Sequence, residues 1–248
     1  MIPWLSTTNH YFPPTSTALL EPNGLLAAGG DLTPDRLIKA YRAGIFPWFS
    51  DGEPILWWSP APRCVLPLKQ LHISKSLAKL IRKDKFKVTF DTAFCEVIEQ
   101  CSAMREHQEG TWITSDIKTA YADLHARHIA HSVEVWQDQE LVGGLYGLAI
   151  GNIFFGESMF SKQSNTSKIA FCYLVNQLRE WDFNLVDCQV HSEHLESLGA
   201  IEIDRALFSN YLANIDNSNS NFTDKQVIDK QAISLTKWHC DLQPHTIK

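Results

Sequence analysis

From Leu141 to Gly156 the chain carries no charge, and five of these residues are glycine. Interior glycines argue against a helix, because each costs about 1 kcal/mol relative to alanine. The run is also shorter than the ~20 apolar residues that a membrane-spanning helix needs. It reads instead as two strands with a turn at Gly151-Asn152. Its continuation, Gly151-Asn-Ile-Phe-Phe-Gly-Glu-Ser-Met-Phe-Ser161, crowds Glu157 among apolar residues. Downstream, Leu185-Val-Asp-Cys-Gln-Val190 forms another strand-like run, and residues two apart on a strand share a face, so Asp187 and Gln189 point the same way. Two carboxylates and an amide at the rim of an apolar pocket suggest a binding site. The plainer alternative puts Glu157 on the wet face of a strand and Asp187 at a strand end.

Periodicity organises the rest. Thr33 is suited to cap a first helix, with Pro34 in its first turn, Leu37, Ile38 and Tyr41 inward, and Gly44 at its end. The segments around Phe46-Pro-Trp48 and Leu56-Trp-Trp58 are broken by proline and cannot be regular amphipathic elements; they cover a core or build an aromatic platform. Over residues 74–83, Leu77, Leu80 and Ile81 share one helical face, while Lys75, Lys79, Arg82 and Lys83 occupy the other. That face is either merely solvated or a local reader of a phosphate backbone. Asp91 is expected to cap the helix that carries Phe94, Val97, Ile98 and Cys101, and a further helix carries Ile117, Ala120, Tyr121 and Leu124. From Ser132 the period changes to two, which predicts an antiparallel three-stranded meander through Ser161. A helix with Phe171, Leu174, Val175, Leu178 and Trp181 inward follows, then the Leu185–Val190 strand and a helical His191–Leu198.

Meander, helix, strand, helix is the order of an acetyltransferase-like α/β (α+β) domain with a mixed sheet. The expected organisation is a small N-terminal domain over 1–70, the acetyltransferase-like domain over 71–212, and a polar, flexible tail over 213–248. At 248 residues, 44% hydrophobic and 20% charged, the composition is that of a globular chain with a substantial core. A net charge of −6 argues against indiscriminate nucleic-acid binding, though not against a local basic patch. The first residues lack the basic start and apolar run of a signal peptide, and the six cysteines show no paired short spacing. Reduced thiols in a soluble cytoplasmic protein are the expectation.

Several motifs admit simpler roles. His125, His128 and His131 have no carboxylate at matching spacing and read as helix-end or solvated residues. Cys188, His191 and His194 form the better zinc candidate but lack a fourth ligand. Neither a Gly-x-x-x-x-Gly-Lys phosphate loop nor a Gly-x-Ser-x-Gly elbow is present. The Phe160–Lys168 segment also lacks the glycine-spaced turn with which acetyltransferases bind pyrophosphate.

Glu21-Pro-Asn-Gly-Leu-Leu-Ala-Ala-Gly-Gly-Asp-Leu32, Tyr41-Arg-Ala-Gly-Ile-Phe-Pro-Trp-Phe49, Ile55-Leu-Trp-Trp-Ser-Pro60, Gly110-Thr-Trp-Ile-Thr114, Ser132-Val-Glu-Val-Trp136, Leu141-Val-Gly-Gly-Leu-Tyr-Gly147, Phe155-Gly-Glu-Ser-Met-Phe-Ser161 and Asp187-Cys-Gln189 occur in that order. Over about residues 10 to 212 the chain closely resembles the bacterial leucyl/phenylalanyl-tRNA–protein transferases. It departs from them at Glu202-Ile-Asp-Arg205, which lacks the usual proline, and in its tail. The resemblance implies transfer of Leu or Phe, and less well Met, from aminoacyl-tRNA to proteins beginning with Arg or Lys, which marks them for degradation. It implies a monomer with no metal and no added cofactor. Trp48 and Trp112 would hold the 3′ adenosine, with Tyr41 and Tyr121 nearby. Leu145, Phe154, Gly156, Met159, Leu174 and Val186 would form the aminoacyl pocket. Gly143 and Gly144 are expected to join Gly156 in closing backbone around the substrate Cβ. Lys75, Lys79, Arg82 and Lys83 would contact the tRNA backbone. Asp187 would draw a proton from the attacking amine, directly or through Gln189, Gln189 would orient that amine or polarise the ester, and Glu157 would face the cationic acceptor residue. The competing functions are a metal-dependent hydrolase using Cys188, His191 and His194, which bound zinc would reveal, and a non-catalytic tRNA-binding module, which would leave the amino acid on its tRNA.

Overall fold

The structure is a computed structural model that describes residues 2–106 and 111–219. The first elements are β1 (Trp4–Leu5), β2 (Leu25–Gly29), α1 (Pro34–Arg42), β3 (Phe46–Pro47) and β4 (Leu56–Trp58). The four strands form a small sheet in the order β1-β2-β4-β3. There follow β5 (Arg63–Pro67), α2 (Lys75–Arg82), β6 (Lys87–Phe90), α3 (Phe94–Glu106), α4 (Ser115–Ala126), β7 (Ala130–Gln137), β8 (Glu140–Ile150) and β9 (Ile153–Ser161). The last elements are α5 (Thr166–Glu180), β10 (Leu185–Gln189), α6 (Glu193–Glu196), β11 (Ile201–Ile203) and α7 (Arg205–Asn219). Seven strands form the large sheet, ordered β11-β5-β10-β9-β8-β7-β6.

The meander expected from Ser132 is β7-β8-β9, antiparallel throughout. Strand β10 returns beside β9 in parallel, through α5. Parallel strands need such a crossover, and the apolar stripe of α5 supplies it. The chain is therefore a mixed α/β protein with the expected acetyltransferase-like order. Both faces of the large sheet are covered, which is why β8 is buried almost end to end. Phe154, Leu145 and Val186 pack with Phe171 and Leu174 of α5. Ile153, Phe155 and Tyr146 pack on the other face with α1, α3 and α4.

Several expectations are corrected. Strand β5 belongs to the large sheet, between β10 and β11, so the seam between the two sheets falls at residues 59–62 and not at 70. Thr33 precedes α1 but makes no side-chain cap; its hydroxyl donates to Asp31 Oδ1 at 2.6 Å. Asp91 lies three residues before α3 and binds His131 Nδ1 and the Ser132 N–H instead of capping the helix. His131 is thus buried against Asp91, not solvated. The helix expected over 191–198 is the single turn α6. Residues 213–219 continue α7, and 220–248 of the expected tail lie outside the described residues.

Of the glycines in β8, Gly143 backs onto Thr166 and Gly144 onto the Val133 carbonyl, and neither lines the cavity beside Glu157. Gly147 sits at a β-bulge where a Cβ would lie 2.2 Å from the Phe155 carbonyl oxygen and 2.6 Å from the Phe154 ring. Gly147→Ala should therefore push these two residues aside at a cost of about 2 kcal/mol, lowering the thermal midpoint by about 4–8 °C. A melting curve within a degree of wild type would show that the bulge has room.

Candidate active site

Strands β9 and β10 are in parallel register only at Ile153–Leu185, Phe154–Val186 and Phe155–Asp187. Past that rung the strands diverge, and a cavity of about 330 Å³ opens between Gly156-Glu-Ser158 and Cys188-Gln-Val190. Its deep wall is apolar: Leu145, Phe154, Met159, Phe171, Leu174 and Val186. At the other side Trp48 and Trp112 border it with Phe46 and Pro47. Trp48 is 45% exposed and leans on Trp58, which donates its indole N–H to the Trp48 carbonyl at 2.7 Å. Strands β8, β9 and β10 and helix α5 supply six of the ten expected binding residues, and the segments after β3 and before α4 add Trp48 and Trp112.

Glu157 sits at the fork. Gln189 Nε2 donates to its Oε1 across the gap at 2.8 Å. The Tyr41 hydroxyl donates to Oε1 at 2.7 Å and that of Tyr121 to Oε2 at 3.1 Å, while the two hydroxyls also touch each other. Burial pushes the Glu157 carboxyl up to about 7, against the opposing pull of these three donors. Burial also raises both tyrosines well above the usual phenol range, keeping them protonated. Neither tyrosine lines the cavity; each reaches it through its hydrogen bond to Glu157.

Asp187 departs most from expectation. It is fully buried and absent from the cavity wall. Arg63 Nε donates to its Oδ1 at 2.8 Å and Arg63 Nη2 to its Oδ2 at 2.7 Å. The strand kinks at a bulge after Asp187, and Gln189, at φ +63°, donates its backbone N–H to Asp187 Oδ1 at 3.0 Å. A shared strand face therefore does not give a shared cavity: Gln189 reaches Glu157 while Asp187 is enclosed by a guanidinium. Sequence reasoning missed Arg63. The one signal was a single charge in an otherwise uncharged strand, Arg63-Cys-Val-Leu-Pro67, which in a core demands a buried partner.

Cys188, His191 and His194 all border the cavity without converging on one point. The Cys188 thiol donates to the Val186 carbonyl at 3.9 Å, and His191 Nε2 meets Glu196 Oε2 at 3.2 Å. Among the described residues no three His, Cys, Asp or Glu side chains form a ligand set. Lys75, Lys79, Arg82 and Lys83 lie exposed on α2, outside the cavity wall and without an ion pair among the described residues. Ser74 caps that helix by accepting from the Leu77 N–H at 3.3 Å. No helix among the described residues is long and apolar enough to cross a membrane.

A strand fork beside an apolar sleeve, with a carboxyl and an amide at the junction, is the kind of mostly apolar, concave site that holds a small ligand. Comparison with known proteins identifies the family. The chain matches the leucyl/phenylalanyl-tRNA protein transferase family over residues 65–213 and that family's N-terminal domain over 30–61. It is 59% identical over 212 residues to the leucyl/phenylalanyl-tRNA–protein transferase of Ectopseudomonas mendocina, covering 86% of this chain and 94% of that one. Its identity to the Pseudomonas putida enzyme of the same name is 59% over 221 residues, covering 89% and 98%. The chain belongs to the leucyl/phenylalanyl-tRNA–protein transferase family and is an aminoacyltransferase. Among solved structures, a possible acetyltransferase from Clostridium difficile 630 overlaps 51% of this chain and 89% of that one, at 14% identity and a TM-score of 0.34.

The raised Glu157 carboxyl has a consequence for stability. Between its ordinary 4.5 and about 7, the folded chain holds a proton that the unfolded chain has released. Stability must therefore fall as pH rises through that window, by ~3 kcal/mol at most. Glu157→Gln should remove this dependence, becoming more stable than wild type above pH 7 but not at pH 4.5. Urea unfolding of both proteins at the two pH values decides it, and parallel pH profiles would place the Glu157 titration elsewhere.

Proposed function

We propose that this enzyme transfers Leu or Phe, and less well Met, from aminoacyl-tRNA to the α-amine of proteins that begin with Arg or Lys, committing them to degradation. In this reading it works in the cytoplasm as a monomer without an added cofactor. The observation that carries the reading is the fork itself, with an apolar sleeve on one side, an indole pair on the other and Glu157 between them. The 3′ adenosine stacks on Trp48 and Trp112, where each base–aromatic contact is worth about 1–3 kcal/mol. The aminoacyl side chain fills the Leu145–Phe154–Met159–Leu174–Val186 sleeve, and the flexible thioether suits both Leu and Phe. The cations of α2 hold the tRNA backbone.

An aminoacyl ester is already activated, so positioning and charge stabilisation can carry the reaction. The acceptor amine attacks the ester carbonyl carbon, a C–N bond forms, and the C–O bond to the terminal ribose breaks. The amine's proton is lost and the ribose oxygen gains one. Gln189 orients the amine through its amide oxygen, its NH2 being held by Glu157. Glu157 faces the cationic acceptor residue and is the carboxyl placed to accept the proton, because burial holds it near neutrality. Protonation also suits its surroundings. Three contacts link Glu157, Tyr41 and Tyr121 but the phenols supply two protons, and a proton on Glu157 gives each contact its own donor. Asp187, enclosed by Arg63, serves by holding Gln189 and not by direct proton transfer.

Incubation with labelled Leu-tRNA and an Arg-initiated peptide should yield leucyl-peptide, with an N-acetylated peptide inert. The rate should rise with pH through about 7 as Glu157 ionises, and Glu157→Gln should lower it by about 10²-fold or more and flatten that profile. Release of free Leu without peptide product would favour a hydrolase, and stable Leu-tRNA would favour a binding module. Reversing Lys79 and Arg82 to Glu should weaken intact aminoacyl-tRNA, as added salt does, while a short aminoacyl-adenosine binds as before. Equal losses for both ligands would point to damage of the fold.

A further inference from the structure

Arg63 lies outside the cavity wall, yet it touches both halves of the machinery. Through Asp187 it holds the strand end: Asp187 Oδ1 accepts from both Arg63 Nε and the Gln189 N–H. That backbone bond fixes Gln189 in the left-handed region, which side chains larger than glycine rarely adopt, and so aims its amide at Glu157. On its remaining sides Arg63 holds the small sheet. Nη1 donates to the Gly44 carbonyl at 3.2 Å, and the guanidinium lies between the rings of Phe46 and Phe208, 4.9 and 4.8 Å from their centroids. Phe46 and Pro47 lead directly into Trp48.

We propose that Arg63 is a positioning residue for aminoacyl transfer, which sets the Trp48 platform and the Gln189 amide in one frame so that the bound ester and the attacking amine meet at the correct separation. The proposal rests on the transferase reading above. Three features single Arg63 out. Its fork is fully used, with Nε and Nη2 on Asp187 and Nη1 on Gly44, as a lysine's single ammonium could not reproduce. It is buried among groups from both sheets and from α7. It makes no contact that would bind tRNA, so its loss should affect the chemical step and leave substrate capture intact.

Three variants test this: Arg63→Lys, Arg63→Met, and the double variant Arg63→Met with Asp187→Leu. The single Arg63→Met leaves a buried carboxylate without its partner and is expected to be destabilised for that reason alone. The double variant removes both charges, so it can fold with an apolar contact in their place. Steady-state rates with Leu-tRNA and an Arg-initiated peptide separate kcat from KM, and unfolding curves report the fold. The double variant is expected to fold, with kcat reduced about 10²-fold and KM for Leu-tRNA within about threefold of wild type. Arg63→Lys, which keeps the charge but loses the fork, should fall between the two. A folded double variant with wild-type kcat overturns the proposal. Should the double variant not fold, Arg63→Lys decides: a lowered melting temperature with unchanged kcat makes Arg63 purely structural. Failure of the wild type to form leucyl-peptide would instead remove the functional reading on which the proposal stands.

Discussion

The separation of β9 from β10 after the Phe155–Asp187 rung is the constraint on which the site depends. A parallel pair that stayed in register would carry its hydrogen bonds past Gly156 and leave no cavity. The break is enforced on both sides. On β10 the bulge after Asp187 turns Gln189 into a left-handed conformation, and on β9 Glu157 is the extra residue of a bulge opposite Tyr146–Gly147 of β8, which shifts the register between the two strands. Backbone groups freed at such a fork need other partners. The cavity can offer them to a substrate, while Gln189 and Glu157 bridge the gap with side chains.

Two buried carboxylates of the same site are held in opposite ways. Asp187 faces a guanidinium that fits both its oxygens, the bidentate geometry of a strong charge-assisted pair. Glu157 faces only neutral donors, two phenols and an amide, and burial dominates. One carboxyl therefore fixes structure, and the other is left able to change charge near neutral pH. Separating two like groups by environment is a general route to dividing roles within one site.

Much of this was legible in the sequence, for identifiable reasons. Alternation over β7, β8 and β9 and the α5 stripe are long enough to show their period, and they carry most of the cavity's apolar sleeve. The small sheet was hidden because β1 and β3 are two residues each, too short for any period. The placement of Asp187 off the cavity wall was not legible, because face-sharing holds only for a regular strand and a bulge leaves no mark in a five-residue run. Arg63 pairs across 124 residues, and no local pattern reports a partner so distant. Gly143 and Gly144 were associated with the cavity through proximity in the chain, whereas their missing side chains make room for Thr166 and for the neighbouring strand.

The ring that closes over Arg63 from below is Phe208, in the last described helix, and the strand edge beside β5 is completed by Ile201–Ile203. A chain emerging from the ribosome would have released the Trp48 segment, the whole meander and Gln189 before either arrives. Until then Arg63 lacks one of its two aromatic covers, and β5 has an open edge. Synthesis order thus delays completion of the active centre until α7 has been made.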